Sequence, residues 1–426
     1  MTTLIRAQVL HAPTEGDLQA FSDGAVAFAD GRVLATGGYA EVRAAAPDAE
    51  VIDAQDAVLV PGLIDTHVHY PQIAVIGAMG LKLLDWLATR TLPEEARLAD
   101  IAYAEDVAQR FVHGLLANGT TTALVFGSHF PGAQEAFFAE AERRGLRAAS
   151  GLVVSDRNLV DALHATPDTA HAQSLGLIER WHGRGRLRYA VTPRFSVSCT
   201  EEMLEACGAL LDAAPGLLFT SHINENVNEI EFVGQQFEWA SDYLHTYERY
   251  SLVRECSVLA HNVHPSGDEL GRLAGARAAI AHCPSSNAFL GSGIFPMQRH
   301  REVGVRFGLG TDVGAGTGLS LFKEGLVAYH QQMIRAEGSL LAPAHLLHLA
   351  TAAGADALGL GDEVGDLTPG KSADLVLIRP PAGSTLETVL RHSPSATDTL
   401  GALFTLAREE AVAEVRIAGE VVFARA

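Results

Sequence analysis

Pro61-Gly62-Leu63-Ile64-Asp65-Thr66-His67-Val68-His69 is a short apolar run that closes on two histidines two positions apart. Pro and Gly bound it on one side, and its aliphatic residues read as a strand. Alternate residues of a strand share a face, so both imidazoles project together and two neutral nitrogens can reach one cation. Paired histidines also arise by chance on surfaces. Their place directly after an apolar strand favours ligands.

Further apolar strands are predicted over 121–126, 147–154, 187–192, 217–222, 257–263, 278–283 and 305–311, with helical periodicity over 134–144, 201–212 and 319–336 between some of them. With the first run at 62–68, this makes eight strands alternating with helices. That number predicts an α/β fold, a (β/α)₈ TIM-like barrel, because doubly wound sheets usually stop at about five or six. Short strands and turns fill both ends of the chain, over 3–10, 24–28, 32–37 and 51–60, then 373–378 and 412–424 around Ala418-Gly419. Residues 1–60 and 366–426 are therefore expected to form one small β-sandwich beside a barrel of residues 61–365.

Composition agrees with a large folded chain. Of 426 residues, 48% are hydrophobic and 19% charged, which supports a sizeable core and not disorder. Acidic residues outnumber basic ones 51 to 31, and the resulting charge of -20 would repel a phosphate backbone. No nucleic-acid partner is expected. The start of the chain lacks a basic stretch followed by an apolar one, and no apolar run is long enough to span a bilayer, so a cytoplasmic protein without membrane contact is expected. Cys199, Cys207, Cys256 and Cys283 form no CxxC pair, which predicts reduced thiols and no cysteine metal site.

The remaining polar residues fall at predicted strand ends. The fifth strand ends in Ser221-His222-Ile223-Asn224-Glu225-Asn226, the sixth in Leu259-Ala260-His261-Asn262, and the eighth in Gly310-Thr311-Asp312. Barrel sites gather at the carboxyl ends of strands, so these distant residues can converge. Three imidazoles and a carboxylate suit a divalent ion such as zinc, with one position left for water. Singly, each could be a core histidine or a helix-capping aspartate; together, in this order, they form a candidate centre.

HxH on the first strand, His on the fifth and sixth, and Asp on the eighth resemble the amidohydrolase superfamily. The tail Pro369-Gly370-Lys371-Ser372-Ala373-Asp374-Leu375 is similar to that family's return into its β-sandwich. The resemblance implies a metal held by His67, His69, His222 and Asp312, with His261 and Asp312 orienting the attacking water and Asp312 accepting its proton. Two-metal members bridge their ions with a carboxylated lysine of the fourth strand. The lysines here are Lys82, Lys323 and Lys371, and the fourth strand ends instead in Thr192-Pro193-Arg194-Phe195-Ser196, so one metal per chain is expected. Zinc is the expected ion, and the same ligands accept ferrous iron.

His69-Tyr70-Pro71-Gln72, the TPRFS segment, the run 221–226 and Ala281-His282-Cys283-Pro284-Ser285-Ser286-Asn287 resemble the guanine deaminase branch of that superfamily. By this resemblance Glu225 shuttles protons to the heterocycle, and Gln72, Arg194, Phe195 and Glu225 contact a small purine. The implied reaction is hydrolytic deamination of guanine to xanthine and ammonia, in a homodimer. Alternatives are a single-metal aminohydrolase acting on 8-oxoguanine, a pterin or a triazine, and a metal-free scaffold that kept the barrel. His282 is expected to orient its loop, and His129, His164, His264 and His348 to be solvated or to stand behind the site. Trp86 either lines the pocket or packs a lid helix, and Glu94-Glu95 reads as a solvated helix start.

Overall fold

The computed structural model describes residues 1–425. Strands β1 (Thr3–Thr14), β2 (Asp17–Ala29), β3 (Arg32–Gly38) and β4 (Glu50–Pro61) open the chain. The barrel strands follow as β5 (Leu63–His69), β6 (Thr120–Phe126), β7 (Arg147–Gly151) with its continuation β8 (Val153–Val154), β9 (Leu187–Pro193), β10 (Leu218–Ile223), β11 (Ser257–His261), β12 (Ala279–His282) and β13 (Arg306–Leu309). The last three, β14 (Leu375–Ile378), β15 (Val412–Ile417) and β16 (Glu420–Ala424), return to the first four. One mixed sheet of order β16-β15-β14-β4-β1-β2-β3 joins the two ends, where a small β-sandwich was expected from them.

The barrel strands pair in parallel in the order β5 to β13, with β8 beside β9. Residues of β5 and β6 are buried throughout, as expected of strands covered by helices outside and by side chains within. Beyond β13 the chain meets the first strand again: Asp312 N–H donates to His67 O at 2.8 Å, and His69 N–H to Val313 O at 2.9 Å. The ends of strands one and eight therefore come together at the two histidines.

Two differences from the sequence reading have local causes. The run expected over 147–154 breaks at Leu152, whose N–H turns to the Tyr189 hydroxyl at 3.1 Å. The C-terminal part also contains helices Thr385–Arg391 and Ala396–Leu406, the second packing Phe404 against Phe322 at 5.2 Å. Their amphipathic pattern is short and lies between the strands expected at 373–378 and 412–424. Among the described residues, no helix is long and apolar enough to cross a membrane.

After β5 the chain makes a helical turn over Tyr70–Val75, passes Gly77 and Gly80 in the left-handed region, and enters a continuous helical run. That run comprises Leu83–Trp86, a π-helical turn Leu87–Thr91, and Leu92–Ala96. It brings Leu83, Trp86 and Leu87 to the mouth of the barrel.

Candidate active site

The carboxyl ends of β5, β10, β11 and β13 bring four histidines and one aspartate into contact. His67 Nε2 lies 3.1 Å from His69 Nε2, and His69 Nε2 lies 3.3 Å from His222 Nε2. Asp312 Oδ1 stands 3.3 Å from His67 Nε2 and 3.1 Å from His69 Nε2. Ligand atoms of His67, His222, His261 and Asp312 all lie within 4.8 Å of one another. The geometry thus draws His261, expected to orient water, into the same cluster as the expected ligands.

Two of the imidazoles are aimed by a partner behind them. His222 Nδ1 donates to the Arg194 carbonyl at 2.7 Å, which leaves the Nε2 lone pair facing the cluster. His261 Nδ1 donates to Asn287 Oδ1 at 2.9 Å, and its buried Nε2 has no protein partner. Below them Phe126, which the sequence reading did not single out, packs its ring 5.3 Å from His67, 4.6 Å from His69 and 4.7 Å from His222. Asp65 accepts from the Thr311 N–H at 3.0 Å and hydroxyl at 2.5 Å, tying strand one to strand eight. Burial pushes the Asp65 carboxyl up to about 6.

Electrostatics favour a cation here. Burial drives His69 down to about 3 and His222 well below the ordinary imidazole value, so both are neutral donors. Burial acts to raise Asp312, but hydrogen bonds from His67 and His69 outweigh it and hold the carboxylate well below its usual range. Imidazole nitrogens this close cannot all satisfy one another with protons, and one of them is orphaned. The donor set of nitrogens and one carboxylate oxygen fits a single borderline divalent cation.

The backbone makes room for this convergence. Asn224, His261, Asn262 and Asp312 have φ of 49°, 74°, 47° and 47°, a left-handed conformation that non-glycine residues adopt at an energetic penalty. All four stand just at or beyond strand ends. Strain of this kind concentrates where side chains are re-aimed for function.

Glu225 faces the cluster from the loop after β10. It is buried, accepts from Ser292 Oγ at 3.0 Å, and places Oε2 3.6 Å from His261 Nε2. Burial, then the charge of Asp312, raises it to about 8, so it carries a proton at neutral pH. Glu229 pins the loop by accepting the N–H groups of Glu225 at 3.1 Å and Asn226 at 3.3 Å. Glu229 also closes a capping box on the helix Val227–Gln236.

Beside the cluster a cavity is lined by Gln72, Trp86, Arg194, Phe195 and Glu225 among others. Trp86 thus does both things weighed for it, lining the cavity and packing with Leu83 and Leu290. Gln72 Oε1 accepts the Gly314 N–H at 3.0 Å, while its Nε2 donates to Glu95 Oε1 at 2.7 Å and stands 3.0 Å from His69 Nδ1. Arg194 donates from Nη1 to Glu95 Oε2 at 2.5 Å.

Glu94 and Glu95 correct the expectation of a solvated helix start. Both are buried, Glu95 being only 3% exposed. Glu94 bonds to Arg97 and to the Tyr103 hydroxyl, and Glu95 to Arg194 and Gln72. Helix-start chemistry and long-range pairing use the same residue type, so nothing local in the sequence marked Glu95.

The other histidines stand behind the site or apart from it. His129 Nδ1 lies 3.5 Å from Glu95 Oε2, and burial, then the charge of Arg194, holds its pKa well below the ordinary value. His264 donates to the Ser292 carbonyl at 2.7 Å, steadying the loop whose hydroxyl reaches Glu225. His282 stacks on Phe295 with ring centres 4.4 Å apart, outside the cluster. His348 and His164 bond to backbone groups, of Ala12 and Leu159 respectively.

The model of the amidohydrolase family matches residues 58–422. A probable guanine deaminase of Deinococcus radiodurans is 58% identical over 99% of both chains, and the guanine deaminase of Escherichia coli is 37% identical over 96% of this chain and 93% of that one. The solved E. coli guanine deaminase superposes with a TM-score of 0.96 at 35% identity, covering both chains completely. Nearly every residue of this chain has a counterpart in those relatives. The chain belongs to the amidohydrolase family.

Proposed function

We propose that this protein hydrolyses guanine to xanthine and ammonia with one divalent ion, zinc or ferrous iron, held by His67, His69, His222 and Asp312. The observation that carries the reading is the meeting, beside one cavity, of those four residues with His261, a protonated Glu225 and the donors of Arg194 and Gln72. The names of the curated relatives support the same substrate.

The reaction needs a nucleophilic water, a proton on the ring nitrogen beside carbon 2, and a proton on the departing amine. When bound, a divalent ion supplies Lewis acidity that lowers the pKa of water from about 15.7 towards ~7. His261 and Asp312 orient the water, and Asp312 accepts its proton. Glu225 gives its proton to ring nitrogen 3 as carbon 2 is attacked and then takes the remaining proton of the added hydroxyl, while the proton held by Asp312 passes to the amine, which leaves as ammonia. Arg194 and Gln72 hold the six-membered ring by oxygen 6 and the adjoining nitrogen, while Phe195 covers a face.

Ultraviolet spectra of the metal-loaded protein mixed with guanine, adenine, pterin and 8-oxoguanine test this directly. Guanine is expected to turn into xanthine, and adenine, which has no amine on carbon 2, to remain unchanged. Turnover of another ring with none on guanine would overturn the substrate.

A further inference from the structure

We propose that Glu95 is a positioning residue for purine recognition, holding Arg194 and Gln72 in the one arrangement that reads the oxygen edge of the ring. The proposal rests on the reading of Arg194 and Gln72 given above and adds a residue to it. Arg194 follows β9 and Gln72 follows β5, on different sides of the cavity. The two strands are not neighbours in the barrel, so strand pairing does not set the mutual geometry of these side chains.

Glu95 is placed to do so. One carboxylate oxygen accepts Arg194 Nη1 at 2.5 Å, and the other accepts Gln72 Nε2 at 2.7 Å. With both donors held, rotation of either side chain breaks a charge-assisted hydrogen bond inside a buried site. Arg194 itself is only 3% exposed, and Glu95 is the sole protein acceptor of its guanidinium among the described residues. A neutral purine cannot neutralise a buried guanidinium, so the counter-charge has to come from the protein. Glu95 supplies it from behind, leaving the other guanidinium N–H groups for the cavity.

The carboxylate has a second mechanical consequence. It sits at the end of the helical run that carries Leu83, Trp86 and Leu87 over the cavity mouth. Through Glu95 the helix that covers the ring and the donors that grip its edge are one unit. The cavity itself is not lined by Glu95. Its influence therefore passes through Arg194 and Gln72.

A substrate pair separates this role from a structural one. Guanine carries both the amine on carbon 2 and oxygen 6; 2-aminopurine keeps the amine and lacks the oxygen. Glu95→Gln is expected to lower kcat/KM on guanine on the order of 10²-fold, as for other misplaced positioning groups, with a much smaller loss on 2-aminopurine and unchanged metal content. In combination with Arg194→Met it is expected to add no more than about twofold, because the amide oxygen introduced at position 95 still accepts from Gln72 Nε2 and the part of the effect that is lost acts through Arg194. If E95Q does not fold, the charge-neutral pair E95Q/R194M is compared with R194M alone: equal guanine kinetics support the proposal, and a further large loss overturns it. Equal losses of E95Q on the two substrates also overturn it. A wild-type enzyme inactive on guanine would remove the parent reading and this proposal with it, whereas an active wild type with equal losses removes this proposal alone.

Discussion

Glu225 shows how one side chain acquires a chemical role from its surroundings. An exposed glutamic acid is ionised at neutral pH; here burial and the neighbouring Asp312 raise it to about 8, so it arrives protonated. Glu225→Gln keeps size and the Ser292 contact but cannot give and retake a proton. Its kcat on guanine is expected to fall by roughly 10²–10⁴-fold with metal content unchanged, read by spectrophotometry and elemental analysis side by side. A near-native rate would assign the proton to another group. The imidazoles make a complementary test. His67→Ala or His222→Ala is expected to leave a folded barrel by circular dichroism with little bound metal, whereas full metal content would remove them from the ligand set. His67, His222 and Asp312 were legible as residues because their spacing from strand ends is local. Glu95 was not, because its partners Gln72 and Arg194 lie 23 and 99 positions away.

At the scale of elements, the carboxyl ends of β5, β10, β11 and β13 carry the clustered side chains, and neighbouring barrel strands pack closely. β7 and β9 approach so tightly that a Cβ added at Gly151 would stand 1.8 Å from the Ala190 carbonyl oxygen. That atom is backbone and cannot swing aside. Gly151→Ala is therefore expected to destabilise the barrel by about 1–3 kcal/mol or more, seen as a lowered Tm, the usual range for forced overpacking. A Tm equal to wild type would show that the two strands can part freely. The eight barrel strands were legible because their apolar runs are continuous and separated by helical periodicity. The break at Leu152 was not, since it depends on a hydroxyl of another strand.

For the whole molecule, the buried carboxylates make stability depend on pH. Glu324 is fully buried, accepts the Ser285 N–H at 2.9 Å and leaves its other oxygen without a partner. Burial raises its pKa from the ordinary 4.5 to about 8. Between those values the native state binds more protons than the unfolded chain, so this group's contribution to stability is full below pH 4.5 and is lost as pH rises towards 8. Glu324→Gln retains the Ser285 hydrogen bond and removes the titration. The variant is expected to gain stability relative to wild type as pH rises through that window, by up to about 1.4 kcal/mol per pH unit. Denaturant unfolding at pH 5 and pH 8 measures it; a constant difference would show that Glu324 titrates normally.

The sequence by itself determined the alternation of strands and helices, the β-rich character of both chain ends, and the positions at which histidine, glutamate and aspartate close the strands. These follow from patterns only a few residues long, which local propensity and burial enforce. The tertiary structure alone decided which of those groups meet. It placed His261 beside the other imidazoles, slid Phe126 beneath them, raised Glu225 by burial, and turned Glu95 from an apparently solvated helix start into the partner of Arg194 and Gln72. Distances between side chains on different strands, and the dielectric around them, exist only once the barrel has closed.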